Sequence, residues 1–179
     1  NNNIIPIYEP GLEELVNKNF LVNRLKFTSN LRLAIKNSDI IFICVGTPHS
    51  KKNKSADLQY VYKAATEISK HINKFKIIVT KSTVPVGTGD KIEKIISRRK
   101  KRKLFEIISN PEFLREGEAI RDFRFPDRII VGSNNKKSLK KIESLYEPLI
   151  KKGAIFFSTS RRGAEMIKYA SNAFLATKI

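Results

Sequence analysis

The 179 residues carry 35 Lys and Arg against 17 Asp and Glu, a net charge of +18, with 41% hydrophobic and 29% charged side chains. That balance predicts one domain with enough apolar content for a core and excludes a disordered chain. Apolar runs such as IIFICV fall short of the ~18 residues a membrane span needs, the opening NNNIIPIYEPG lacks a signal-peptide pattern, and a lone Cys44 excludes a disulfide framework or a cysteine-held metal. A reducing cytoplasm is the expected setting. So strong a positive charge suits an anionic partner, whether nucleic acid, membrane surface or phosphorylated small molecule. The excess is spread along the chain, however, so neither nucleic acid nor membrane is expected as a partner. The dense cluster RRKKRK, from Arg98 to Lys103, reads as a solvated surface end, with a polyanion contact as the competing reading.

In chain order, helical periodicity comes first in GLEELVNKN, then a weak strand signal in LKFTS near Leu25, then helical NLRLAIKNS. DIIFICVG, Asp39 to Gly46, reads as a strand buried on both faces. Helical ADLQYVYKAATEISKHI leads to strand-like KIIVTKS, and helical TGDKIEKIISRRK to strand-like LFEIIS. In SNPEFLREGEAI, Glu112 and Glu116 are four residues apart, which predicts one helical turn with both carboxylates on one side. DRIIVG is the next strand, and helical NKKSLKKIESLYEPLI follows, with Asn134 or Asn135 as its cap and Pro148 near its end. GAIFFS is a weaker strand, and GAEMIKYASNAFLATKI reads as a closing helix. This alternation predicts an α/β chain, a Rossmann-like doubly wound parallel sheet covered by helices.

Ligands of such sheets bind beyond the carboxyl ends of the strands. Three exits, VGTPHSKKNKSAD, KSTVPVGTGD and SNPEFLREG, mix Gly, Pro, Thr and Ser, which supply tight turns, hydroxyls and free amides. A fourth, VGSNN, is plainer. No G-x-G-x-x-G occurs in the chain, and both of its ends read as cut, so the predicted sheet is incomplete and the last helix is the start of a longer one. Cys44 sits inside an apolar run with no partner base in sequence, so a buried, inert thiol is expected rather than a nucleophile. Arg128 is expected to pair with Asp127, Asp122 or Glu118 rather than with a ligand.

The phrases IPIYEPGLEELV, SDIIFICVGTP, ADLQYVY, VTKSTVPVGTGD, SNPEFLREGEAIRDFRFPDRIIVG and AEMIKYASNAFLATKI, in this order, resemble the UDP-glucose 6-dehydrogenases among the nucleotide-sugar dehydrogenases. The resemblance implies NAD-dependent oxidation of UDP-glucose to UDP-glucuronate in two hydride transfers, by an intact enzyme that is a homo-oligomer. It divides the chain into residues 1–159, an NAD-binding Rossmann-like domain lacking its first strand-helix-strand unit, and residues 160–179, the start of a central connecting helix. The second oxidation in the family passes through a thioester on a cysteine that this chain does not carry.

By the same resemblance Glu112 takes part in acid–base chemistry with water, Thr83 contacts both cofactor and catalytic water, and Lys168 with Asn172, one turn apart, face the reacting sugar carbon. A lysine ammonium stabilises a developing oxyanion and an amide orients it. Thr47 and Pro48 are implied to line the NAD pocket, with Glu116 on the nicotinamide ribose side. Backbone groups of Phe113, Leu114, Arg115 and Glu116 are implied to hold the substrate. KSTVPVGTGD and FRFPDRIIVG favour UDP-glucose over GDP-mannose or UDP-N-acetylmannosamine. The competing reading is an inactive remnant or a nucleotide-binding fragment, and the chain alone is expected to be inactive.

Overall fold

The computed structural model describes residues 5–50 and 55–178. In chain order the elements are α1 (Leu12–Leu21), α2 (Leu31–Asn37), β1 (Ile40–Ile43), β2 (His49–Ser50), β3 (Ser55–Ala56), α3 (Gln59–His71), β4 (Lys76–Thr80), α4 (Thr88–Ser97), a 3-10 turn (Arg102–Leu104), β5 (Phe105–Ser109), α5 (Ala119–Arg124), β6 (Arg128–Gly132), α6 (Lys136–Ile150), β7 (Ile155–Thr159) and α7 (Arg161–Lys178). Residues 51–54 of the predicted VGTPHSKKNKSAD loop and Ile179 of the predicted closing helix lie outside the described residues.

The main sheet runs β1-β4-β5-β6-β7, and β2 and β3 form a separate two-stranded ladder. β4 and β5 are buried at every position, which is why each has an apolar centre, Ile77–Val79 in β4 and Ile107–Ile108 in β5, although Lys76, Thr80, Glu106 and Ser109 are buried with them. One apolar layer joins β4 and β5 to α2, α3 and α4 through Ile35, Val61, Ala65, Ile68, Ile78, Ile92, Ile96 and Ile107. The opposite layer joins Ile77, Val79, Ile108, Ile129 and Val131 to Ile142 and Tyr146 of α6. Helices therefore cover both faces, and the Rossmann-like α/β reading stands.

Three expectations need correction. The sheet is mixed: β1, β4 and β5 are parallel, but β6 runs antiparallel to β5 and carries β7 parallel to itself. A strand buried on both faces has the same composition in either direction, so its apolar pattern cannot report its polarity. LKFTS forms no strand. Thr28 and the following Asn30 instead build a helix start, with the Asn30 amide donating to Thr28 Oγ1 and the Leu33 amide to Asn30 Oδ1, both at 3.0 Å. DIIFICVG contributes only four residues of strand at the described sheet edge, where Ile43 alone is buried.

The β5–β6 junction shapes what lies above the sheet. The two strands share a single register pair, Ser109 with Gly132, so most of β6 extends past the carboxyl end of β5, beside the chain leaving it. Helix α7 then packs against β5 and β6. A side chain at Gly132 would meet Ser160 O at 2.6 Å and the Ala164 Cβ at 2.7 Å, so glycine permits this close crossing. The helix is also tied to α4. Glu165 accepts hydrogen bonds from the Gly87 and Gly89 amides at 2.7 and 2.8 Å, while Arg161 pairs with Asp90 and, at 2.6 Å, with Glu93.

Candidate functional site

Because β1, β4 and β5 are adjacent and parallel, their carboxyl ends open on one rim, and polar bonds bind the three exits together. Ser82 Oγ, just past β4, donates to Val45 O beyond β1 at 2.6 Å, and Thr47 Oγ1 donates to Thr83 O at 3.0 Å. Thr83 Oγ1 in turn donates to Glu112 Oε1 at 3.3 Å. Lys168 Nζ, arriving from α7, lies 3.3 Å from the same carboxylate oxygen. Thr47, Thr83, Glu112 and Lys168 thus form one continuous chain of contacts. Lys168 is only 7% exposed, so most of its side chain is buried and its ammonium faces Glu112 directly.

Beside this chain lies a cavity of about 690 Å³ between the 110–129 connection, the end of α6 and α7. Glu112, Phe113, Leu114, Arg115, Lys168 and Asn172 all line it. The Phe113 ring stands between two cations, with Lys168 Nζ 5.0 Å and the Arg128 guanidinium carbon 4.9 Å from its centroid. Positive charge from Lys81, Arg121, Arg128 and Lys168 faces an interior that Glu112 and Asp127 only partly offset, an environment suited to an anionic ligand.

Several candidates stand elsewhere than expected. Glu112 and Glu116 do not share a helical turn, because the chain from 110 to 118 is irregular and α5 starts only at Ala119. Pro111 and Gly117, which has φ of 80°, break the turn at both ends. Glu116 is exposed and lies outside the cavity lining, so the structure does not bring it together with Glu112. The Arg115 amide is not free for a ligand. It donates to Asp122 Oδ2 at 2.9 Å, and the Arg115 guanidinium grips both Asp122 oxygens. That grip holds the Asp122 carboxyl down at about 2. Arg128 finds no acidic partner among the described residues, since Asp122 is taken by Arg115 and Glu118 by Arg121, and it turns to Phe113 instead. Pro48 is exposed, its carbonyl accepting from the Asp57 amide at 2.8 Å.

Cys44 is exposed, against expectation, because β1 ends at Ile43 and the next residue projects off the sheet edge. Partial burial of its sulfur, aided by the Glu112 charge and opposed by Lys81, still pushes the thiol up. A thiol held protonated remains a poor nucleophile, so the rejection stands for a different reason.

Sequence reasoning missed two groups. Lys81 lines the cavity, places Nζ 3.4 Å from Asn110 O, and has its ammonium pulled down chiefly by burial, against the attraction of Glu112. Its signal was a lysine directly after a fully buried strand. Asn110 is buried between β6 and α6, and only its place at a strand exit marks it in sequence.

With this geometry established, known proteins offer comparison. The pattern of the UDP-glucose/GDP-mannose dehydrogenase family, NAD binding domain, matches residues 1–150. The chain is 52% identical to the UDP-glucose 6-dehydrogenase TuaD of Bacillus subtilis, over 99% of this chain and 38% of that protein. A UDP-glucose dehydrogenase from the archaeon Pyrobaculum islandicum superposes with a TM-score of 0.92 at 38% identity, covering 99% of this chain and 41% of that one. A GDP-mannose dehydrogenase from Pseudomonas aeruginosa gives 0.92 at 37% identity, covering 98% and 41%. The chain therefore spans about two fifths of the length of these relatives.

Proposed function

This chain belongs to the UDP-glucose/GDP-mannose dehydrogenase family, through its NAD binding domain, and from that premise we propose that it supplies part of the active site of an enzyme oxidising UDP-glucose to UDP-glucuronate in two steps. The observation that carries the reading is Glu112 Oε1, approached at 3.3 Å by both Thr83 and Lys168 at the mouth of a cation-lined cavity. When bound, NAD accepts the hydride. The residues present fit its nicotinamide end, since Thr47, Pro48 and Thr83 edge the rim between the β1 and β4 exits. They fit its pyrophosphate less well at α4, because Glu165 already fills the Gly87 and Gly89 amides.

The roles of the chain's own groups follow from placement. The Lys168 ammonium, on a largely buried side chain, stabilises negative charge on the oxygen of the reacting sugar carbon. Asn172, one turn further along α7, orients that oxygen. Glu112 exchanges a proton with water, and Thr83 and Lys168 fix the direction of its carboxylate. The cavity cations receive the diphosphate of the nucleotide sugar. Residues 1–159 then act as the NAD-binding unit and residues 160–179 as the start of a connecting helix. The reading extends to a cytoplasmic homo-oligomer, supported by a single unpaired cysteine and by Met166, Tyr169, Phe174 and Leu175 exposed along α7.

The test is a chimera in which this chain replaces the corresponding part of the Bacillus subtilis relative. The chimera is expected to reduce NAD with UDP-glucose in preference to GDP-mannose, and Glu112→Gln to lower kcat by roughly 100-fold or more. A folded chimera that prefers GDP-mannose, or a Glu112→Gln form with undiminished turnover, overturns the assignment.

A further inference from the structure

We infer that Asn110, oriented by Tyr146 of α6, is the positioning residue that aims Glu112 at Lys168. Asn110 is the first residue past β5 and is 2% exposed. Its amide donates to Thr80 O at 2.9 Å and its carbonyl receives Lys81 Nζ at 3.4 Å. Its side chain spans to the other half of the sheet, where Nδ2 donates to Ile130 O of β6 at 2.9 Å and Oδ1 accepts from Tyr146 Oη at 2.5 Å. The orientation is fixed by chemistry. A backbone carbonyl only accepts, so the NH2 group must face Ile130 and the oxygen must face the phenol.

The consequence reaches Glu112 through two covalent steps. Residue 111 is a buried proline, which fixes its own φ and restricts the residue before it. Among the described residues, no backbone–backbone hydrogen bond joins residues 111–114 to any other part of the chain. The path of this segment is therefore set at its root, by Asn110, and at its far end, by the Arg115–Asp122 grip. Burial pushes the Tyr146 phenol up to about 12, so it stays a donor throughout the physiological range. A phenylalanine here fills the same apolar space and leaves Asn110 Oδ1 without its donor.

This inference rests on Glu112 as the catalytic carboxylate, but its test reads geometry rather than turnover. The 15N resonance of the Lys168 ammonium is followed in the 179-residue chain, with Glu112→Gln marking the position of an unpaired Lys168. Tyr146→Phe and Asn110→Ser are expected to move that resonance toward the Glu112→Gln position. Ile142→Val, on the same buried face of α6 but taking no part in the Asn110 hydrogen bonds, is expected to lower the melting temperature and leave the resonance in place. In the chimera, Tyr146→Phe is expected to reduce kcat by up to about 100-fold with KM unchanged. If Tyr146→Phe lowers Tm yet leaves the Lys168 resonance at its wild-type position, or if both variants unfold, the pair is structural only and the inference falls. A chimera that does not reduce NAD, with the resonance shifts as expected, instead removes the functional reading and leaves the geometric one.

Discussion

Lys81 is where stability and chemistry pull apart most clearly within one side chain. Burial at the β4 exit disfavours its charged form and pulls its pKa below 10.5, while Glu112 acts the other way. A lysine with a depressed folded pKa costs stability at neutral pH. The unfolded chain binds the proton more readily, so stability rises as pH climbs from the folded value toward 10.5. Lys81→Met keeps the stem and removes the charge. We expect it to raise stability at neutral pH by about 1 kcal/mol, equivalent to about 2–4 °C in Tm. The gain is expected to shrink as pH approaches 10.5, and the chimera is expected to lose activity because Glu112 has lost a neighbouring cation. Thermal melts across that pH range check the sign; a constant or growing difference contradicts it. Glu112 and Lys168 were legible in the sequence because each lies in a distinctive phrase. Lys81 was not, because nothing in KIIVTKS says whether the lysine after the strand turns outward or under the next exit.

The elements were legible wherever burial imposes a period. α3, α4 and α6 each turn one apolar face to the sheet, and the centres of β4 and β5 are apolar because both of their faces are covered. Asn135 caps α6 as its position predicts, its side chain accepting from the Ser138 amide. What composition could not carry was direction and offset: the reversed β6, its single-pair overlap with β5, and the irregular path between Glu112 and Glu116. Those depend on contacts that no periodic pattern announces: the Arg115–Asp122 grip within the connection itself and, across the chain, Glu9 accepting from the Gly117 amide at 3.0 Å. Gly132 marks the junction. An added methyl group meets Ser160 O, Ala164 Cβ and Arg161 Cα, all within 2.8 Å, and none is the end of a flexible side chain. Gly132→Ala is therefore expected to push α7 off β6 and cost about 1–3 kcal/mol. Because α7 carries Lys168, the ammonium resonance should move as well. An unchanged melting temperature would show that the helix start gives way without cost.

At the scale of the whole molecule the question is what a net charge of +18 is for. The RRKKRK cluster runs from the end of α4 to the start of β5, at the opposite end of that strand from the cavity, and among the described residues only Arg102 of the six has acidic partners, Glu93 and Glu106. A built polyanion site concentrates its binding in such a cluster, whereas a diffuse charge spreads it over the surface. The 35 basic residues are distributed through every helix and several loops, and several are already engaged, including Arg161 with Asp90 and Glu93, Arg115 with Asp122, and Lys168 with Glu112. The diffuse case is favoured, so retention on heparin is expected to be weak and to fall smoothly with salt. Replacing Lys100, Lys101 and Lys103 by Ser is expected to reduce the slope of log affinity against log salt by less than about 0.9 per charge, the value for full phosphate contacts. Abolition of binding by those three changes would instead make the cluster a dedicated anion surface. A second test separates the cavity from the surface: under the proposed function UDP-glucose would compete for the cavity cations, so adding it should leave heparin retention untouched if the two charge systems are independent.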